Sequence, residues 1–180
     1  MRKPVVFLKE VLPLHIRTSR LTITRFTPDM ASRVHALSLD SHTRAFVPDE
    51  VFETVEEAAA TVTYLMSCYD RTDGPLVYPI LLDDAYIGYV QLVPLEGGAW
   101  ELGYHVGEPY TRRGYATEAV CAFLPVIMAR LSLHDVHAVC LTENTASVRV
   151  LEKCGFTRVA EGVAAYQGCP RSVVRFIYTA

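Results

Sequence analysis

Several signatures are missing from this 180-residue chain, and each absence removes a class of function. The five cysteines, Cys68, Cys121, Cys140, Cys154 and Cys169, are odd in number and scattered, with no C-x-x-C pair. That argues against a disulfide framework and a zinc knuckle, and for a reducing cytosol. Neither G-x-x-x-x-G-K-[ST] nor G-x-G-x-x-G occurs, so the phosphate loops of nucleoside-triphosphate and dinucleotide enzymes are lacking. Charge of either sign is not in excess: 21% of residues are charged and the net charge is -3, which excludes a disordered tail and a basic nucleic-acid wrap. Long hydrophobic runs are missing too. "MRKPVVFLKEVLPL" begins like a secretion signal, but its apolar run ends at Leu8, before Lys9 and Glu10. The 13-residue stretch "AVCAFLPVIMARL" is too short for a bilayer and contains Pro125. A soluble cytoplasmic protein, with no membrane or nucleic-acid partner, is expected.

What is present fits one domain over residues 1–180, with 1–18 as an irregular N-terminal extension. Half of the residues, 51%, are hydrophobic, enough for a sizeable core. "RLTITRF" alternates like a half-buried strand. Thr27-Pro28-Asp29 starts a short helix running to about Leu39. Asp40 to Glu53 has no clear period and reads as loop or short helix. "TVEE" at Thr54 to Glu57 matches a capping box, and Val55, Ala59, Val62, Met66 and Tyr69 then form one helical stripe ended by Gly74-Pro75. "LVYPILLD" and "AYIGYVQLVPL" read as a hairpin turning at Asp83-Asp84, and "AWELGYHV" as the next strand. From Arg113 to Leu131, Ala116, Val120, Phe123, Ile127 and Leu131 recur at helical spacing, with Pro125 inside. Strand "VHAVCLT", helix "NTASVRVLEKCGF" and strands "TRVAEGVAAY" and "RSVVRFIY" complete the chain. The expected fold class is α/β: a mixed sheet of about seven strands, mostly antiparallel, with one central parallel pair flanked by helices.

The chemistry concentrates where a strand runs into a helix. "YTRRGYATEA" places the first amides of a helix, which have no partner within it, beside the positive end of the helix dipole. Gly114 lets backbone approach a phosphate, and Arg112 and Arg113 add positive donors. A pyrophosphate cradle and an ordinary helix start with two solvated arginines both fit this stretch. A second constellation, "ENTASVRVLEKCGF", has Asn144 as cap and Gly155 as left-handed terminator. Its first turn opens at the same end of the sheet, so Asn144 and Ser147 can face the same ligand.

With both stretches in view, the chain resembles the GCN5-related N-acetyltransferases, in the branch of the ribosomal-protein alanine N-acetyltransferases. The resemblance runs from "SRLTITRFTPDMA" through "WELGYHVGEPYTRRGYATEAV" to "ENTASVRVLEKCGF". The family's loop, Gln/Arg-x-x-Gly-x-Gly/Ala, falls on Thr111-Arg112-Arg113-Gly114-Tyr115-Ala116. Thr111 departs from the expected Gln or Arg. The resemblance implies that Arg112, Arg113, Gly114, Tyr115, Ala116 and Thr117 hold the coenzyme A pyrophosphate, with Asn144 and Ser147 nearby. It also implies that the backbone of Tyr104, His105 and Val106 binds the pantetheine arm. Acetyl-CoA is then the co-substrate, with no metal, and an amine attacks the thioester directly in a ternary complex. The acceptor is a small-molecule amine or a protein N-terminus, and the protein a monomer or homodimer.

Many relatives carry an acid tyrosine where this chain has Leu151; in the ribosomal-protein branch the serine matching Ser147 is implicated instead. Glu101 is the candidate base, against the alternative of a solvated strand glutamate, and His105 the second candidate, against a histidine satisfied by backbone. Tyr86, Tyr89 and Tyr166 are candidates for the acceptor side. Two rival readings stand beside transfer: a weakly catalytic coenzyme A-binding module of the same fold, and a cysteine hydrolase using Cys140 or Cys154 with His137. His134 and His137 alone make a poor metal site.

Overall fold

At Asp83-Asp84 both aspartates hold left-handed backbone, with φ of 48° and 64°, the conformation of a two-residue turn that matches the twist of its flanking strands. The hairpin expected there is formed, and the rest of the sheet grows from it. The structure, a computed structural model, describes residues 13–71, 73–166 and 168–180. In chain order the elements are β1 (Ile16–Arg17), β2 (Leu21–Ile23), α1 (Ala31–Ser38), α2 (Ser41–Phe46), α3 (Val55–Cys68), β3 (Leu76–Leu82), β4 (Ala85–Pro94), β5 (Trp100–Val106), α4 (Tyr115–Leu131), β6 (Asp135–Leu141), α5 (Thr145–Lys153), β7 (Thr157–Tyr166) and β8 (Cys169–Thr179). One sheet runs β1-β2-β3-β4-β5-β6-β8-β7. Every neighbouring pair is antiparallel except β5 and β6, which are parallel.

The sheet has eight strands, not seven. The added one is Ile16–Arg17, inside the segment read as irregular, where it pairs with β2 at Ile16↔Ile23. Two residues are too few to show a period, so the pairing has no signature in the sequence. The stretch resembling a secretion signal falls largely in residues 1–12, outside the described residues. Among the described residues no helix is long and apolar enough to cross a membrane.

Each face of the sheet has its own core. On one, α4 and α5 bury Phe123, Ile127 and Leu151 against Val90, Leu92, Val136 and Phe176. On the other, α1 and α3 bury Val34, Ala58 and Val62 against Val77, Leu81, Tyr86 and Tyr89. The capping box of α3 is complete: the Thr54 hydroxyl accepts from the Glu57 amide, and the Glu57 carboxylate accepts from the Thr54 amide. Of the expected stripe, Val62, Met66 and Tyr69 pack into the core, with Ala58 rather than Ala59 fully buried beside them and Val55 exposed. Alanines at 58, 59 and 60 give periodicity nothing with which to centre the stripe. The aperiodic segment after Asp40 forms α2, capped by the Asp40 carboxylate on the Thr43 amide, and a 3-10 turn at Pro48–Glu50.

Candidate active site

The parallel strands β5 and β6 are matched at a single position, Glu101↔His137. Beyond it β6 continues its pairing with β8 as far as Leu141↔Val173, while β5 continues with β4 as far as Gly88↔Val106. The sheet therefore opens between β5 and β6 toward their carboxyl ends, where α4 and α5 begin.

The edge that β5 presents to this opening follows from its pairing on the other side. The Gly107 amide donates to the Ile87 carbonyl of β4 (2.9 Å). A Cβ on Gly88 would lie 2.1 Å from the His105 carbonyl oxygen, so that carbonyl also faces β4. Successive peptide groups of a strand alternate in direction, which leaves the amides of Tyr104 and Val106 facing the opening. The backbone of His105 faces β4. Of the three residues expected to offer backbone to a pantetheine arm, two are turned to the gap.

At the end of β5 the chain passes through a 3-10 turn, Glu108–Tyr110, into α4. Thr111 donates its hydroxyl to the Glu108 carbonyl (2.9 Å), so the side chain at the family's Gln/Arg position tightens this turn. Arg112 and Gly114 hold left-handed backbone, φ 61° and 80°, folding the loop over the helix start. Gly114 is the N-cap residue of α4, and the first helical bond is donated by Glu118 to the Gly114 carbonyl. The amides of Tyr115, Ala116 and Thr117 consequently have no partner in the helix. The side chains of Arg112 and Arg113 are exposed beside them. A phosphate group suits this set of donors, and any other residue at Gly114 would hold a left-handed backbone conformation that L residues avoid.

Arg20 braces the loop. Its guanidinium donates to the Arg113 carbonyl (3.0 Å) and to Glu118 (2.7 Å), and lies over the Tyr115 ring at 4.5 Å. Burial acts to raise the Glu118 pKa, but donors from Thr18, Arg20 and Ser19 outweigh it and hold the carboxyl below its ordinary value. The turn between β1 and β2 is thus fastened to the first turn of α4 through residues about a hundred positions apart in sequence.

Across the opening, Asn144 caps α5 by accepting from the Ser147 amide (3.1 Å). The Ser147 hydroxyl meets the Tyr104 phenol at 2.8 Å, and that phenol also donates to the Ser147 carbonyl (3.1 Å). Burial pushes the Tyr104 phenol above its ordinary value, so it holds its proton throughout the neutral range. Tyr104 entered the sequence reading only through its backbone. Its side chain, reaching from β5 to the first turn of α5, depends on the distance between two elements and has no local signal. Leu151, at the family's tyrosine position, is fully buried in the core.

Glu101 and His105 point to the opposite face of β5 from Tyr104. Burial raises the Glu101 carboxyl, while His137 and Arg175, on the same face of β6 and β8, act to lower it. His105 packs under α2: its Nε2 meets the Thr43 hydroxyl (2.9 Å) and its ring stacks on His42 at 5.4 Å. Burial, with help from His42, pushes the imidazole down to about 4. It is neutral at pH 7 and a weak proton acceptor. Beside it Tyr89, with its ring 6.2 Å from that of His105, donates to the Glu50 carboxylate (2.6 Å). Tyr166, at the end of β7, donates to the Phe46 carbonyl of α2 (3.3 Å), closing the same side. Glu50 was missed in the sequence because it sits in the aperiodic segment between α2 and α3.

The thiol-histidine arrangement does not form. Cys140 is buried on the helix face of β6, whereas His137 lies on the other face. The Cys154 thiol contacts Cys121 (3.1 Å) and the Thr117 carbonyl, and burial raises its pKa. Among the described residues no three His, Cys, Asp or Glu side chains come together as a metal site.

An open parallel strand pair with two helix N-termini at its mouth defines a class of α/β proteins whose sheet parts where two helices begin. The acetyltransferase (GNAT) domain model matches residues 20–157. The uncharacterized N-acetyltransferase YnaD of Bacillus subtilis (strain 168) is 32% identical over 148 residues, covering 81% of this chain and 84% of that protein. Among solved structures, a GNAT-family acetyltransferase from Bacillus anthracis superposes with a TM-score of 0.79 at 26% identity, covering 92% of this chain and 98% of that one. RimL, a ribosomal L7/L12 alpha-N-protein acetyltransferase solved with coenzyme A, gives 0.80 at 18% identity over 92% and 98%, a likeness of fold. The chain belongs to the GCN5-related N-acetyltransferase family and is an acetyl-CoA-dependent N-acetyltransferase.

Proposed function

We propose that this protein transfers the acetyl group of acetyl-CoA to a primary amine, on a small molecule or at a protein N-terminus, by direct attack in a ternary complex. The observation that carries the reading is the opening between β5 and β6, bordered by the amides of Tyr104 and Val106, with unpartnered helix amides at its mouth. Arg112, Arg113 and the amides from Gly114 to Thr117 neutralise the pyrophosphate; Asn144 and Ser147 border it from α5. The pantetheine arm lies along β5, and one of its two free amides stabilises the oxyanion that develops on the thioester carbonyl.

Glu101 accepts the proton of the amine from the acceptor face, directly or through water. Its partly buried carboxyl holds a raised pKa, closer to that of the amine it serves, than an exposed glutamate would. An α-amine with pKa near 8 is already about a tenth neutral at pH 7, so the base has a modest task, whereas a lysine amine asks more of it. His105, neutral and held by Thr43, shapes the acceptor side. The departing thiolate is met by the hydroxyl pair of Ser147 and Tyr104. That pair takes the place of the family's α5 tyrosine, with the phenol arriving from β5 instead.

Mass spectrometry of a peptide and amine library incubated with the protein and acetyl-CoA tests this reading. Products heavier by one acetyl group on a primary amine, with one free thiol per product, are expected. Coenzyme A binding without any acetylated amine would overturn it in favour of the weak binding module.

A further inference from the structure

The strongest unused feature is the Glu50 carboxylate. Glu50 as a residue is partly exposed, but its carboxyl group turns inward, where burial lifts its pKa to about 7. Its hydrogen-bond partner is the buried Tyr89 phenol. A carboxylate in this setting is expected to have a cation beside it. None is supplied among the described residues: Arg33 on α1 donates to the Tyr86 carbonyl and the Tyr110 phenol, and Arg44 on α2 pairs with Glu53.

The carboxyl borders a cavity of about 30 Å³ between α1, α2 and the β4–β5 strands, with Leu37, Thr43, Tyr86, Tyr89 and His105 around it. That is room for a group the size of a water or an ammonium, and too little for a guanidinium. The walls offer aromatic faces and a neutral imidazole, surroundings that favour a cation over an anion. The cavity lies on the face that carries Glu101, and Tyr166 lies in the electrostatic reach of both Glu101 and Glu50. His105 stands four residues beyond Glu101 on that face, roughly 13 Å along the strand by its rise per residue.

Resting on the amine-acetylation reading above, we infer that Glu50 and Tyr89 form a subsite for a second, protonated ammonium group of the acceptor. The reacting amine must be neutral when it attacks near Glu101. The charge complementary to Glu50 therefore belongs to another group of the same molecule, and the subsite selects acceptors with two separated cationic amines over monoamines.

The test is acetyl transfer to α,ω-diamines of four to twelve carbons and to alkyl monoamines of matching length. At pH 8, where Glu50 is ionised, the wild type should favour the best diamine by at least tenfold in kcat/KM. Glu50→Gln should collapse that ratio toward one, chiefly through the diamine's KM. Calorimetric titration of 1,10-diaminodecane into the coenzyme A complex reads the subsite without turnover, and there Glu50→Gln should weaken binding at least tenfold. If no amine is acetylated while this difference persists, the transfer reading fails and the subsite stands. If monoamines and diamines react alike in the wild type, or the ratio survives Glu50→Gln, the subsite fails and the transfer reading stands. Should Glu50→Gln not fold, Glu50→Asp keeps the charge but withdraws it by one methylene. It should lower the ratio and move the optimum to a longer diamine; an unchanged ratio and length would overturn the proposal.

Discussion

The two sides of β5 are built on different principles. On the helix side, the coenzyme region is made of backbone: amides of β5 and α4 positioned by a glycine turn, with side chains adding charge from immediate sequence neighbours. On the other side, the acceptor region is made of titratable side chains gathered from distant positions, with Glu50 on Tyr89 and His105 on Thr43. Backbone amides cannot be mutated away or titrated, which suits the proposed role of the first region in holding a ligand that does not change. Side chains set the second region, which suits the proposed role of choosing an acceptor.

This contrast yields graded expectations. The largest is for Glu101→Gln, which should lower kcat/KM by roughly 10²-fold, the usual scale for losing a general base, while calorimetry shows acetyl-CoA affinity unchanged. In the wild type the rate should rise with pH through a value above the ordinary carboxylate range, because burial raises Glu101, and this limb should vanish in the variant. A wild-type pH profile in Glu101→Gln would move the base elsewhere on the acceptor face.

Gly114→Val should act on the other region alone. Its left-handed backbone, φ 80°, costs an L residue about 1–2 kcal/mol, and the added methyl groups block close approach of a phosphate. Acetyl-CoA should bind roughly tenfold more weakly by calorimetry, with the selectivity between acceptors unaltered. An unchanged dissociation constant would show that the loop does not hold the pyrophosphate.

Tyr104→Phe and Ser147→Ala should each reduce turnover by several-fold. Because the two hydroxyls act as one 2.8 Å pair, the double variant should be little worse than either single one. Fully multiplicative losses would separate their roles and leave water as the proton donor.

With a monoamine acceptor the smallest effect on activity, and a distinct one on stability, is expected on the acceptor side at Glu50. Its carboxyl is raised from 4.5 to about 7 in the fold, by burial first and by Asp49 on its own turn, against the Tyr89 hydrogen bond. Tyr86 and Tyr89 of β4 and Tyr166 of β7 face it and remain neutral in this range. The folded state therefore keeps a proton that the unfolded chain releases. The stability this provides is full below about pH 4.5 and lost as pH rises through about 7, an effect on the order of 3 kcal/mol. Thermal melts should show Glu50→Gln gaining on the wild type between pH 5 and pH 9, by roughly 5–10 °C. A gap independent of pH would mean that Glu50 is solvated.

How far the chain could be read follows the same division. The hairpin at Asp83-Asp84, the capping box at Thr54 and the helix ends at Gly114 and Gly155 were legible, because each is written in neighbouring residues. The strand Ile16–Arg17 was not, being too short for a pattern. Cys140 and His137 were paired in the rival hydrolase reading, yet strand alternation puts them on opposite faces. The Tyr104 phenol and the Glu50 carboxyl had no local signature, since their meaning lies in what stands across a gap.

The sequence by itself determined the order of strands and helices, the loop that presents helix amides to an anion, and the family, because periodicity, caps and turn residues act over a few positions. Only the tertiary structure decided that β5 and β6 part after Glu101, that a phenol from β5 meets Ser147, and that the Glu50 carboxyl rests on the buried Tyr89 phenol with no cation of its own beside it among the described residues. Those depend on packing between elements far apart in the chain, where distance and burial, not composition, set the chemistry.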